Sequence, residues 1–243
     1  MEFRVFKLAI VAISALLMKI SPTSGAMYVY PMEVSVGLKG ASQIKVISQD
    51  NDVQFIKVSL RKILQPGTAQ ENEKVSDASS AAGLIITPQK IALSSASERL
   101  IRLVSVMPPE KETTWRAYFE SVNEDNFIAQ PGDSKASTAT ASIGVNVVWG
   151  ALIHVAPEKV HASLEFIEGS GSVLNNGTIR IPVKGVGVCD KSGLCQWRNI
   201  TATVYPDTVV SLVGIKFSRD KEYRIKYVNW ITEKTEEISL SRK

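Results

Sequence analysis

The chain has 243 residues, 44% of them hydrophobic and 21% charged, with a formal net charge of +4 at pH 7. This length allows one large β-domain or two domains of ordinary size. The lysines and arginines are spread along the chain without a dense block, so the composition argues against a nucleic-acid-binding protein and at most suits an acidic partner.

The first 26 residues have the layout of a secretory signal peptide. Arg4 and Lys7 precede a predominantly apolar run over residues 8–18, and small residues stand one and three positions before a cut after Ala26. The alternative is a membrane anchor, but the run is shorter than the roughly 20 apolar residues that span a bilayer. We therefore predict a cleaved signal peptide over residues 1–26 and an exported mature protein.

Residues 27–156 carry a succession of strand patterns separated by turn signals. The first pattern holds Pro31, which favours the edge of a sheet. A stretch rich in Ser, Ala, Glu and Asn, over residues 68–82, predicts a mobile surface loop. The strand patterns cover residues 27–36, 43–48, 53–64, 84–93, 98–106, 114–122 and 137–149. About seven strands in some 125 residues, without useful helical periodicity, are typical of an immunoglobulin-like sandwich.

The stretch from Ser137 to Trp149 has the longest strand pattern. Its even positions are mostly small or polar, and its odd positions are apolar: Ala139, Ala141, Ile143, Val145, Val147 and Trp149. Alternation with a period of two indicates a strand with one apolar face, and this one is longer than most strands. Such a strand can build its own domain and still offer an apolar row to a second protein.

The chain after the hinge-like residues 156–158 predicts a second, smaller β-domain. Its two cysteines, Cys189 and Cys195, most simply form a disulfide that closes a hairpin in an exported protein. A metal or redox site is the alternative, although the spacing is not Cys-x-x-Cys and no histidine is near in sequence. The tail over residues 231–243 is charged, and we expect it to be frayed at its end.

No pattern in the sequence supports catalysis. Residues 169–172 are followed by a turn and a strand and lack the lysine and the helix of a phosphate-binding loop. His154 and His161 have no obvious acidic companion, so we expect them in the core or on the surface. The sequence therefore predicts neither an enzyme nor a metal or cofactor site.

Two motifs of the mature chain stand close together, Leu84-Ile-Ile-Thr-Pro88 and Leu100-Ile-Arg-Leu103. Their pattern of apolar-x-Thr-Pro and a later apolar-Arg-Leu resembles that of periplasmic chaperones that assemble pili in the chaperone–usher pathway. Residues 115–120 and 145–153 are similar to the family's sixth and seventh strands. The likeness covers essentially the whole mature chain, and it is greatest for the alternate branch that serves colonisation-factor-type (class 5) fimbriae.

The resemblance implies an all-β chain of two immunoglobulin-like β-sandwich domains in a boomerang arrangement, over residues 27–156 and 157–243. It implies a periplasmic protein without cofactor that binds fimbrial (pilin) subunits and delivers them to an outer-membrane usher. A pilin subunit lacks its own last strand, and the chaperone fills that groove by lending its seventh strand. The sequence leaves open whether the free chaperone pairs with itself.

Mapped onto this chain, the lent strand has a donor row of five residues: Ala139, Ala141, Ile143, Val145 and Val147. Burying an isoleucine or valine contributes about 1.5–3 kcal/mol and an alanine less, so Ile143 and Val145 are expected to dominate over the two alanines. The alternative is that these side chains only build the core of their own domain.

One departure from the family concerns the anchor for the subunit's terminal carboxylate. Better-known members use an arginine in the first strand and a lysine in the seventh. Here residues 27–36 hold no basic residue, and Asn146 stands where the lysine is expected. An amide lacks the strength of a charge-assisted bond. Arg116 is therefore our first candidate and Arg102 the second, although a structural salt bridge is the favoured role for Arg102.

Two other classes of protein remain as rivals at this point. One is a secreted structural or adhesive β-sandwich protein of a surface assembly, which is expected to carry a donor extension or a sorting tail. The other is an extracellular hydrolase with an unrecognised site. Neither a donor extension nor a sorting tail is visible in the sequence.

Overall fold

The structure is a computed structural model that describes residues 27–75, 83–128 and 147–242. The predicted signal peptide, residues 1–26, lies outside the described residues. The described part of the chain is almost entirely β, and none of its helices is long and apolar enough to cross a membrane.

The first half of the described chain forms one β-sandwich. Its elements are β1 (Met27–Tyr30), β2 (Glu33–Val36), β3 (Ala41–Ser48), β4 (Gln54–Leu64), β5 (Asn72–Val75), β6 (Leu84–Thr87), β7 (Lys90–Leu93), β8 (Glu98–Ser105), β9 (Thr113–Val122), the short helix α1 (Glu124–Ile128) and β10 (Val148–Val155). One sheet has the order β1-β3-β8-β6, and the other has the order β2-β10-β9-β4-β5 with β7 also paired to β4.

Alternation of side chains along the strands explains why the two sheets pack face to face. In β9, Trp115, Ala117 and Phe119 are buried, while Arg116 and Tyr118 lie on the outer face. In β4, residues 56, 58 and 60 point into the same core. Because successive side chains of a strand point to opposite faces, each sheet has one apolar face to bury.

The first strand pattern divides between the two sheets. β1 pairs with β3 at the edge of one sheet, and β2 runs parallel to β10 at the edge of the other. Pro31 stands between them, which agrees with its expected position at a sheet edge because proline cannot donate to a ladder.

The second half of the described chain forms another β-sandwich with its own core. Its strands are β11 (Leu164–Phe166), β12 (Ser172–Asn175), β13 (Ile181–Cys189), β14 (Cys195–Val204), β15 (Val209–Ser211), β16 (Glu222–Asn229), β17 (Lys234–Ser239) and β18 (Ser241–Arg242). The sheet orders are β15-β12-β11-β18 and β14-β13-β16-β17. Buried aromatic residues, among them Phe166, Phe217 and Tyr223, fill the space between the sheets. The predicted fold class, all-β with two sandwich domains, is confirmed.

Two local predictions were wrong. The surface loop predicted over residues 68–82 contains the strand β5, which pairs with β4. The tail predicted to be frayed at its end contains β17, which pairs with β16 over residues 234–239, and ends in β18, which pairs with β11 over residues 241–242. Both segments are edge strands rich in polar side chains, so their sequences lack the apolar alternation that identifies a strand with a buried face.

Candidate functional site

The first residues of β10 have an unpaired edge. On one side β10 pairs with β9 along its whole length, from Val148 opposite Glu120 to Val155 opposite Thr113. On the other side it pairs with β2 only from Leu152 onward. Within the described ranges, the backbone of residues 148–151 therefore has no strand on that side. An unpaired edge presents N–H and C=O groups that accept an added strand.

The side chains of β10 pass from the core to the surface along one face. Ala151 and Ile153 are fully buried in the core of their own domain, and Trp149 packs against that core while partly exposed. Val147, two residues earlier on the same face, is 50% exposed. The apolar row that builds the domain therefore continues past the end of the sandwich.

Most of the predicted donor row lies before β10. Ala139, Ala141, Ile143, Val145 and the neighbouring Asn146 lie outside the described residues. Val147 is the member of the row whose position the structure describes, and it stands at the exposed end of β10. The structure therefore describes the end of the predicted row that adjoins β10.

Arg116 lies beside the open edge, but its charge is already paired. Its guanidinium donates to the carboxylate of Glu73 on β5, and Nη2 lies 3.7 Å from the carboxylate of Glu71. The side chain crosses Gly150 of β10, because a Cβ atom added to that glycine would lie 3.2 Å from the Arg116 Cδ. Partial burial opposes the charged form, but Tyr118 and Glu73 leave the pKa of Arg116 raised.

Arg102 is on the other sheet, and the structure does not bring it to β10. It lies on β8 between Gln43 and Thr87, with its side chain exposed. The structural salt bridge expected for Arg102 is not among the ion pairs of the described residues.

A buried charged cluster joins the two domains, and the sequence analysis missed it. The Glu112 carboxylate accepts hydrogen bonds from the Arg180 backbone N–H at 2.8 Å, the Arg180 guanidinium at 2.5 Å and the Trp230 indole N–H at 2.9 Å. The guanidinium also lies 4.5 Å from the centre of the Trp230 ring. These partners are far apart in sequence, so no local sequence pattern predicts that they are in contact.

His154 of β10 belongs to the same cluster. Its Nδ1 lies 3.4 Å from Glu112 and its Nε2 lies 3.3 Å from Glu33, the latter without the alignment of a hydrogen bond. The expectation that His154 has no acidic companion was wrong, although its expected core placement agrees with its complete burial. Burial raises the pKa of Glu112, but His154 and Arg180 outweigh burial and leave that pKa lowered.

The two cysteines form the predicted disulfide. Cys189 ends β13, Cys195 begins β14, and the two stand opposite each other in the hairpin. The turn between them is held by Asp190, whose carboxylate accepts from the backbone N–H groups of Ser192 and Leu194. The disulfide therefore fastens the end of a hairpin far from β10 in sequence.

Comparison with known proteins finds relatives with similar sequences and solved structures with a similar fold. No protein-family model matches the chain. The chain is 30% identical over 197 residues to a CFA/I fimbrial subunit protein of Escherichia coli, covering 78% of this chain and 81% of the relative. The crystal structure of the class 5 fimbriae chaperone CfaA matches with a TM-score of 0.71 and 27% identity, covering 89% of this chain and 99% of that one.

A further solved structure is a chaperone–tip adhesin complex of CFA/I fimbriae biogenesis. It matches with a TM-score of 0.69 and 25% identity, over 90% of this chain and 100% of that chain. The curated relative is named for the fimbrial subunits, whereas the solved structures are named for the chaperones. Both structures match across both sandwich domains, since they cover about nine-tenths of this chain.

Proposed function

The chain belongs to the class 5 fimbrial chaperones of the chaperone–usher pathway, and we propose that it stabilises a fimbrial subunit by lending it the strand that leads into β10. The single observation that carries this proposal is the open edge of β10 at residues 148–151 beside the exposed Val147. An open edge supplies main-chain hydrogen bonds, and an apolar row on one face supplies side chains for the pockets of a groove.

The donor row proposed for this chain is Ala139, Ala141, Ile143, Val145 and Val147. All five have the same parity as Ala151 and Ile153, which are buried in the chain's own core. In a continuous strand, residues of the same parity point to the same face. The face that completes the chaperone's own sandwich thus also completes the sandwich of the subunit, with Ile143 and Val145 contributing more than the alanines because their side chains bury larger apolar areas.

The anchor proposed for the subunit's terminal carboxylate is Arg116. It is the candidate that the fold places next to β10, on the outer face of the sheet and across Gly150. Arg102 stands on the opposite sheet, and Asn146 lacks a charge. A guanidinium binds a carboxylate through two parallel hydrogen bonds, which gives direction as well as strength.

The protein is proposed to act in the periplasm, after removal of residues 1–26, as two domains over residues 27–156 and 157–243. Its cargo is the subunit class of class 5 fimbriae, in keeping with the chaperone–tip adhesin complex to which it is similar. It hands that cargo to an outer-membrane usher, and the amino-terminal extension of another subunit displaces the lent strand. Strand exchange of this kind needs neither nucleotide nor cofactor.

The test is a double substitution in the donor row, Ile143→Ser with Val145→Ser, in cells that also express the fimbrial subunits. We expect the subunits to be degraded or aggregated in the periplasm, because the groove receives a strand without its large apolar side chains. The matched control replaces two exposed valines elsewhere, Val53→Ser with Val213→Ser, which are 55% and 85% exposed. Undiminished subunit levels in the donor-row variant would count against strand donation.

A further inference from the structure

The carboxylate of Glu73 is surrounded by donors from two neighbouring strands. The Arg116 guanidinium donates to Oε1, and the Tyr118 hydroxyl lies 2.9 Å from Oε1 and 2.8 Å from Oε2. The guanidinium of Arg61 lies 3.8 Å from Oε2 and stacks over the ring of Tyr118 at 5.2 Å. One carboxylate thus meets two cations and a hydroxyl.

The pairing of β4 with β9 brings the two arginines together without any contribution from Glu73. Arg61 on β4 and Arg116 on β9 are directly opposite each other in the register. Like charges in that position repel and destabilise a sheet unless an anion lies between them. Together with the hydroxyl of Tyr118, the two arginines therefore form a site for a carboxylate, and Glu73 is the carboxylate that fills it here.

Glu73 is carried by a weakly attached element. It lies on β5, a strand of four residues that pairs with β4 at the end of the sheet. The neighbouring Glu71 accepts the backbone N–H of Gly67 at 2.7 Å and holds the preceding turn, while its other carboxylate oxygen lies 3.7 Å from the Arg116 guanidinium. Short edge strands with few buried apolar contacts open more easily than central strands. β5 can leave the two arginines without disturbing β4 or β9.

The site is accessible and adjacent to the open edge. The side chains of Arg61 and Arg116 are 48% and 31% exposed. Arg116 crosses Gly150, which belongs to the part of β10 that has no strand on its free side within the described ranges. A subunit paired with that edge therefore lies across β10 from Arg116, whereas Arg61 is one strand further away, on β4.

We propose that Glu73 is an internal substitute for the subunit's terminal carboxylate and that the two exchange at Arg61, Arg116 and Tyr118 when a subunit binds. This inference rests on the proposed function and assigns a specificity-determining role to Glu73. A ligand carboxylate must displace Glu73 before it can bind. A small carboxylate therefore binds poorly, because it lacks the strand pairing along β10 that a subunit adds. The exchange keeps one carboxylate between the two arginines in the free protein and in the complex.

The first experiment tests the site without any subunit. N-acetylalanine, which has a carboxylate, and N-acetylalanine amide, which has none, are titrated into the full mature chain while the ring signals of Tyr118 are followed by NMR. In Glu73→Gln we expect a saturable shift with the carboxylate alone, at least about fivefold tighter than in the wild type. The matched control is Glu98→Gln, whose ion pair with Lys45 at 2.9 Å lies on the other sheet.

Equal response of wild type and Glu73→Gln, or equal response to the amide, would overturn the exchange. Glu73→Asp, one methylene shorter and still charged, is the second variant, and it should give an intermediate affinity because its carboxylate reaches the two arginines less well. The second experiment measures capture of the fimbrial subunit. Glu73→Gln should raise capture in the wild-type background and have no effect beside Arg116→Ala, whereas an effect of the same size in both backgrounds contradicts the proposal.

Different results would contradict the strand-donation proposal and the proposed carboxylate exchange at Glu73. If no variant captures a subunit, the strand-donation proposal fails, and the titration with N-acetylalanine still decides the role of Glu73. If the wild type captures subunits and Glu73→Gln behaves as Glu98→Gln does, the exchange fails and strand donation stands.

Discussion

The buried carboxylate of Glu112 accepts hydrogen bonds from both the backbone and the side chain of Arg180, 68 residues further along the chain. The side chain of Glu112 is completely buried and that of Arg180 is 7% exposed. Glu112 precedes β9 in the first domain, and Arg180 precedes β13 in the second. This ion pair therefore links the two domains beside the strand β10, together with contacts such as the Lys111–Asp207 pair.

Removing this carboxylate should strongly destabilise the protein. Glu112→Gln leaves the buried Arg180 guanidinium with only the more distant and more exposed Glu33 carboxylate, 3.8 Å away, and loss of one partner of a buried pair costs about 3–5 kcal/mol. The control Glu98→Gln breaks a surface pair with Lys45, which is worth about 1 kcal/mol or less. The free energy of unfolding in urea is the measurement. Equal losses in the two variants would show that the Glu112 pair contributes no more than a surface pair.

The same pair predicts a loss of stability in acid. The pKa of Glu112 is lowered in the folded protein, chiefly by His154 and Arg180 acting against burial. Its contribution is therefore complete above the unfolded pKa of about 4.3 and disappears as the pH falls through the folded value. Thermal melts between pH 7 and pH 3 should show the wild type and Glu112→Gln converging in acid. A constant difference in melting temperature would contradict this assignment.

Loss of the disulfide should destabilise the second domain moderately. Cys189 and Cys195 are separated by 6 positions, so the bridge closes a short loop. Constraint of a loop of this size contributes about 2 kcal/mol in the chain-entropy model. Cys189→Ser with Cys195→Ser should lower the free energy of unfolding by that amount and leave subunit capture intact at low temperature. A variant that loses capture while it stays folded would place the hairpin at the subunit interface.

Ile153 of β10 and Val147, which directly precedes that strand, should respond to substitution in opposite ways. Ile153 is fully buried in its own core, so Ile153→Ala should cost about 2–5 kcal/mol of stability. Val147 is 50% exposed, so Val147→Ala should change stability by about 0.5 kcal/mol or less. Val147→Ala should instead weaken subunit capture by about tenfold, because the methyl groups it removes are buried only in the complex. A large loss of stability in Val147→Ala would mean that this residue belongs to the core.

The sequence predicted the strands in which apolar and polar side chains alternate, and it did not predict the strands without that alternation. Trp115, Ala117 and Phe119 share a buried face as predicted, because that pattern is local. β5 and β17 were missed because edge strands with polar side chains have no such pattern.

The contacts of the candidate site were also beyond a sequence pattern. Arg116 was named as an anchor, but its partner Glu73 lies 43 residues earlier and reaches it only through the register of β4 with β5 and β9. The companions of His154 are likewise brought together by the fold, since Glu33 comes from β2 and Glu112 from the start of β9. Pairing of distant strands, rather than the character of each strand, decides which charges meet.

Hydrogen exchange of the backbone amides in the complex with a fimbrial subunit tests strand donation most directly. Amides of residues 148–151 that face the open edge should exchange rapidly in the free chaperone, and they are followed together with the amides from Ala139 onward. On binding they should become protected at alternate positions, because a strand bonds its neighbour through every second residue. Protection confined to other strands, with residues 139–151 exchanging as they do in the free protein, would contradict the account.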